Sequence, residues 1–138
     1  MKEFCNRVSN DIKWSERLKK KFPNRIKTLR YEDISEKPIK ATENLYEFLG
    51  LKISQDIKDY IWKITSAGLP DNCVICTTRN NSVATAYKWR HLLEHSLVKI
   101  IDNTCSDVYK QMGYVPVKNI AEQSNLKIPV KIPMKFEP

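Results

Sequence analysis

The sequence predicts an α/β domain rich in helix, and three observations carry that expectation. Ile26-Lys27-Thr28-Leu29-Arg30-Tyr31 reads as a short, largely apolar strand of the kind that sits inside a covered sheet. It runs through the acidic pair Glu32-Asp33 to Pro38 and on to Leu45-Tyr46-Glu47-Phe48-Leu49-Gly50-Leu51. That order of strand, turn and helix is the kind of junction at which parallel sheets place ligands. Elsewhere apolar residues recur mostly at helical spacing. A lone strand cannot bury two faces, so the chain is expected to be part of a larger α/β domain.

Taken in order, residues 3 to 20 predict an amphipathic helix, with Phe4, Val8 and Ile12 at fourfold spacing and Lys19-Lys20-Lys21 where a helix C-terminus favours positive charge. After the strand, Pro38 suits a first helical position, and Ile39, Leu45, Phe48 and Leu49 form one face closed by Gly50. Ser54 fits an N-cap for a helix whose stripe is Ile57, Tyr60, Ile61 and Ile64, ending near Thr65-Ser66-Ala67-Gly68. Residues 67 to 84 read as a long loop, which in a compact domain is commonly a functional one. Helix resumes from Thr85 to Leu93. A single longer helix then carries Leu97, Ile101, Cys105, Val108 and Met112 to Gly113. The domain is expected to occupy residues 1–117, with 118–138 an extended tail marked by Lys, Pro129 and Pro133.

The 24 Lys+Arg against 16 Asp+Glu give a net charge of +8, which favours anionic partners. No run is apolar and long enough to span a bilayer, and the N-terminus lacks the apolar core of a signal peptide. Cys5, Cys73, Cys76 and Cys105 allow three pairings. Cys73-Val74-Ile75-Cys76 stands without a second such pair, and His91 and His95 lack a third ligand, so no metal site is expected. Buried thiols or secretory-pathway disulfides both fit.

Arg30-Tyr31-Glu32-Asp33, Pro38 and Leu45 to Leu51 together resemble the C-terminal half of the carbohydrate sulfotransferases. Thr78-Arg79-Asn80-Asn81-Ser82, Thr85-Ala86 and Trp89-Arg90 are similar to that family's arginine-bearing loop and following helix. Ile101, Cys105, Met112 and Gly113-Tyr114 are similar to its closing helix and turn, and Cys5 falls where a cysteine precedes the strand. The resemblance covers residues 4 to 116. It implies the helix-rich C-terminal part of a P-loop-like parallel-sheet fold and transfer of sulfate from 3′-phosphoadenosine 5′-phosphosulfate to a sugar hydroxyl. It further implies a glycan acceptor, a Golgi lumenal setting, and a membrane anchor present only in a full-length form. The family's glycine-rich turn for the 5′-phosphosulfate has no counterpart among Gly50, Gly68 and Gly113. The chain is therefore expected to be incomplete, and whether it is active alone stays open.

Sulfuryl transfer rests on positioning and charge compensation, so cations must meet the nucleotide phosphates. The resemblance assigns Arg79 to the 3′-phosphate, with Asn80 or Ser82 adding hydrogen bonds. The forked guanidinium suits that contact. It places Tyr31 at the adenine face and Thr65 and Ser66 beside the adenine. Without the resemblance, Tyr31 reads as a core tyrosine and Thr65-Ser66 as helix-end hydrogen bonding. Glu32 and Asp33 read as structural, with Glu32 bonding Arg30 or the turn. No catalytic base is assigned. Cys5 and Cys105 lie on the two long helices and bridge if those pack together. The alternative function is a non-enzymatic basic helical module for nucleic acid or anionic glycan. The sequence carries no nucleic-acid motif, so no nucleic-acid partner is expected.

Overall fold

A computed structural model describes residues 1–68, 78–79 and 81–134. Among them the helices are α1 (Lys2–Lys21), α2 (Tyr31–Glu36), α3 (Pro38–Phe48), α4 (Gln55–Thr65), α5 (Ser82–Tyr87), α6 (Trp89–Leu92), α7 (His95–Thr104), α8 (Ser106–Met112) and α9 (Ile120–Ser124). The chain divides into two compact units, Met1–Thr28 with Trp89–Pro138, and Leu29–Lys88. No described helix is long and apolar enough to cross a membrane.

In the first unit α1 packs against α8. A disulfide joins Cys5 to Cys105 across 100 residues of sequence, with Cα atoms 5.1 Å apart. Gln111 Nε2 donates to Ser9 Oγ at 3.0 Å beside it. The bridge selects which face of α1 turns inward: Cys5 and Ser9 are buried, while Phe4 is 66% exposed. The Phe4–Val8–Ile12 stripe is thus corrected at Phe4, whereas Val8 and Ile12 are half-buried at the edge of the inward face, neighbouring helical residues pointing about 100° apart.

The single helix expected to reach Met112 is two helices, broken at Cys105 (φ −101°, ψ 18°). The inward residues are Val98, Asp102 and Cys105, at i, i+4 and i+7, and Leu97 is exposed. The Tyr109 hydroxyl bonds the Asp102 carboxylate. Asp102 Oδ2 finds no hydrogen-bond partner among the described residues. Gly113 closes α8 in the left-handed region (φ 69°), where a side chain would be strained.

The tail from Lys118 is not extended throughout, as it contains α9. Asn119 caps that helix by accepting from Glu122 N at 2.9 Å, while Glu122 Oε2 accepts from Lys118 N at 3.0 Å. Beyond it, Val115 N donates to Val130 O at 2.9 Å and Ile132 N to Gly113 O at 2.7 Å. These bonds frame an antiparallel bridge between Tyr114 and Lys131. Arg90, 2% exposed, fastens the segment. Its Nε donates to Gln123 O (2.7 Å), Nη1 to Ile128 O (3.0 Å), and Nη2 to Glu122 O (2.8 Å) and Asn125 O (2.6 Å). Gln123 answers by donating to Leu93 O at 2.8 Å and receives the His95 ring at 2.9 Å.

The strand expected over Ile26–Tyr31 does not form. Among the described residues the Tyr114–Lys131 bridge is the extent of sheet pairing, and it does not include this segment. Residues 26 to 30 alternate between covered and exposed, and Arg30 remains extended (φ −99°, ψ 135°). Tyr31 then opens α2. The acidic turn read at Glu32-Asp33 is the first turn of that helix, where carboxylates suit the positive helix end.

In the second unit α2 contacts both α3 and α5, and α3 contacts α4. Gly50 (φ 69°) ends α3 with two reversed bonds, Gly50 N to Glu47 O (3.0 Å) and Leu51 N to Tyr46 O (2.8 Å), which satisfy the last carbonyls. Ser54 Oγ accepts from Ile57 N at 3.3 Å and starts α4. Lys58 Nζ meets Glu43 Oε1 at 2.6 Å and ties α4 to α3. That bond, then the Lys58 charge, holds the Glu43 carboxyl below the usual carboxylate range. Ile57, Ile61 and Ile64 are half-buried, but Tyr60, read as part of the stripe, is exposed. The stripe is only three isoleucines wide because α4 packs against α3 on one side.

Candidate functional site

The sequence-derived site residues that the structure describes all fall in the second unit, where they form two groups. Asn80, like Cys73 and Cys76, lies outside the described residues. One group is at the C-terminus of α4. Arg79 N donates to Ile64 O at 2.7 Å, which fixes the arginine's backbone against the last turn. The adjoining residues in sequence are Thr65 and Ser66. Thr65 Oγ1 donates to Ile61 O at 2.7 Å and lies 3.2 Å from Ser66 Oγ. With the Thr65 proton given to Ile61, the contact between the hydroxyls is closed by the Ser66 proton. A ligand here would draw its bond from Ser66 after rotation of that hydroxyl.

Electrostatics at this end favour one role for Arg79. A helix C-terminus carries roughly half a negative charge, which repels an anion. A phosphate beside it needs a full compensating cation, and Arg79 supplies one on a partly exposed side chain. Its Nη1 donates to Thr78 O at 2.8 Å.

The second group joins α5 to α2. Asn81 caps α5 by accepting from Ala84 N at 2.9 Å. Ser82 is buried, and its hydroxyl donates to Ser35 O at 2.7 Å. Tyr87 donates to Glu36 Oε1. Burial first, then that bond and the Glu36 charge, push the Tyr87 phenol well above its ordinary range, with Glu32 and Asp33 adding to the effect. At the start of α2, Tyr31 presents a ring that is 53% exposed, so it is not a core tyrosine. The buried Arg30 behind it places both arms on Asp33, Nε to Oδ2 at 2.8 Å and Nη2 to Oδ1 at 3.0 Å. Asp33, rather than Glu32, is therefore the acid that takes the Arg30 fork. The i, i+3 spacing of Arg30 and Asp33 was the available signal for this pair. Asn81 was likewise legible as a cap, since Asn before a helical run is a start signal.

In the first unit a cavity of about 240 Å³ is lined by Val8, Ile12, Met112 and Met134 and edged by Asp11 and Glu16. Two carboxylates and no lysine or arginine make it a poor receptor for a phosphate. Among the described residues no cluster of His, Cys, Asp and Glu is arranged to hold a metal ion.

Residues 1–113 match the family model described as a sulfotransferase domain. The chain belongs to the sulfotransferase domain family. Among its relatives, carbohydrate sulfotransferase 1 of Mus musculus is 32% identical over 136 residues, covering 99% of this chain and 32% of the relative. Carbohydrate sulfotransferase 1 of Homo sapiens is 34% identical over 127 residues, covering 92% and 29%. Carbohydrate sulfotransferase 4 of Mus musculus is 26% identical over 128 residues, covering 93% and 33%. The chain thus spans about a third of the length of the curated relatives it matches. No solved structure matches it.

Proposed function

We propose that this chain serves transfer of sulfate from 3′-phosphoadenosine 5′-phosphosulfate to a sugar hydroxyl, contributing the adenosine and 3′-phosphate side of the donor site. The observation that carries the reading is the sulfotransferase-domain match over residues 1–113, joined to relatives that are carbohydrate sulfotransferases. The parallel-sheet architecture of such domains is part of the same proposal, with 118–138 as a strap beyond the residues the family model matches. Arg79 is the cation for the 3′-phosphate: its guanidinium matches an oxyanion with two parallel N–H donors, and its backbone is pinned at Ile64. Ser66, one residue past α4, is the hydroxyl that turns toward the nucleotide, with Thr65 holding it. The exposed Tyr31 ring offers a stacking face for adenine. Ser82 acts indirectly, by seating the helix that follows Arg79. The Cys5–Cys105 bridge supports an oxidising compartment such as the Golgi lumen.

Calorimetric titration with adenosine 3′,5′-bisphosphate tests the proposal. Arg79→Ala is expected to weaken binding at least tenfold, about 1.4 kcal/mol. Affinity indifferent to this substitution would remove Arg79 from the site. Absence of nucleotide binding by the wild-type chain would remove the donor-site reading.

A further inference from the structure

The net charge is unevenly shared between the two units. Of the 24 Lys+Arg and 16 Asp+Glu, Leu29–Lys88 holds eight of each, so the other unit has 16 against 8 and carries the whole +8. Its largest single contribution comes from α1, with seven Lys+Arg and three Asp+Glu.

The outward face of α1 is organised. Opposite the buried Cys5 and Ser9, at alternating steps of four and three residues, stand Arg7, Asn10, Trp14, Arg17 and Lys21, all exposed. From Arg7 to Lys21 the stripe runs about 21 Å at 1.5 Å per residue. Trp14 is 60% exposed in its midst. The Arg17 guanidinium lies 5.0 Å from the indole centroid, and Lys21 Nζ lies 5.4 Å from the Phe22 ring. These contacts hold aromatic faces beside cations at the surface.

We infer that this stripe docks a sulfated glycan chain. A pyranose offers a C–H face that packs on an indole, while its sulfate and carboxylate oxygens need cations on either side. Trp14 supplies the first and Arg17 and Lys21 the second, Arg17 through a forked contact, while Arg7 at the end of the stripe is already paired with Glu3. A bilayer would require an apolar band facing outward to sink into the headgroup layer. Here the covered side of α1 is held inward by the Cys5–Cys105 bridge, and its exposed apolar side chains, Phe4, Trp14 and Leu18, form no continuous band because the charged Arg7 and Asp11 stand between them on that face. A nucleic acid strand would call for several aromatic platforms in succession, and the stripe has Trp14 in its midst with Phe22 only at its end. The inference rests on the proposed function for its sense: a glycan already carrying sulfates stays attached while a further hydroxyl is sulfated.

The test is fluorescence anisotropy of the intact 138-residue chain with labelled chondroitin sulfate oligosaccharide. The expected result is binding that weakens at least tenfold in Trp14→Ala, with the salt dependence preserved. Arg17→Ala and Lys21→Ala should each weaken binding and lower the salt slope by roughly one. These positions are exposed, so circular dichroism should match wild type. Lys118→Ala, a basic residue away from the stripe, should bind normally. Affinity unchanged in Trp14→Ala, or lowered equally by Lys118→Ala, would overturn the docking surface. Equal or tighter binding to phosphatidylserine vesicles or to an oligothymidine would overturn the choice of partner. Failure of the two readings is separable. Loss of nucleotide binding in Arg79→Ala with glycan binding intact leaves the α1 surface standing. Nucleotide binding without any glycan binding to α1 overturns the surface and leaves the donor site.

Discussion

Replacing Arg90 with lysine removes the fork and keeps the charge. The wild-type guanidinium reaches four different carbonyls, those of Glu122, Gln123, Asn125 and Ile128, at 2.6 to 3.0 Å. An ammonium has three donors on one atom and cannot fan across a seven-residue loop. At least two charge-assisted bonds are lost, each worth about 1.5 kcal/mol, giving about 3 kcal/mol in all. Arg90 is 2% exposed, so water cannot replace the missing donors without opening the segment. The loss should appear in urea unfolding followed by intrinsic fluorescence, as a lower midpoint. It should also appear locally, because the amides of Asn125 and Ile128 lose hydrogen-exchange protection and trypsin gains access at Lys127. A midpoint within about 0.5 kcal/mol of wild type, with unchanged protection at those amides, would refute the claim that Arg90 holds the strap.

Other predictions concern separate parts of the chain. Reducing the Cys5–Cys105 bridge, or replacing both cysteines by serine, removes a crosslink spanning 100 residues. The expected cost is about 4 kcal/mol, measured as the change in urea stability with and without reductant. Gly50→Ala meets no atom within 4 Å of the added Cβ, so only the backbone conformation at φ +69° resists it. A loss of about 1 kcal/mol is expected, and a neutral result would show that the α3 terminus relaxes. Burial, then the charge and hydrogen bond of Asp102, raise the Tyr109 phenol above its ordinary range. The folded state therefore keeps a proton the unfolded chain gives up. The contribution is complete below about pH 10, the ordinary phenol value, and is lost as pH rises through the folded value. Ultraviolet titration should show a late-ionising tyrosine that disappears in Tyr109→Phe.

Local signals with a short physical range were legible. Pro38, Gly50, Ser54 and Gly113 each act within one helical turn, and each marks a helix end in the structure. The sulfotransferase resemblance was also legible, since ordered motifs survive without knowledge of contacts. What failed depended on partners distant in sequence. Ile26 to Tyr31 has strand composition, but a strand exists only where a neighbour accepts its ladder. The inward face of α1 could not be chosen from Phe4, Val8 and Ile12 because the deciding contact is with Cys105, at the far end of the chain. The tail read as extended because its lysines and prolines dominate the composition, whereas its course is set by Arg90 through backbone carbonyls, which no side-chain pattern announces. At the candidate site, Arg79 and Ser66 were visible as residue types. The attachment of Arg79 through Ile64 O was not.

The unit closed by Cys5 and Cys105 is assembled from both ends of the polypeptide, while Leu29–Lys88 is one uninterrupted stretch. On the ribosome these two kinds of unit differ in timing. The continuous stretch can fold as soon as it emerges, but Cys5 must wait for its partner through the synthesis of 100 further residues. During that interval Cys73 and Cys76 are translated first. Wherever the surroundings are oxidising, Cys5 would meet those two thiols before Cys105, and thiol–disulfide exchange would be the route by which an early pairing is undone.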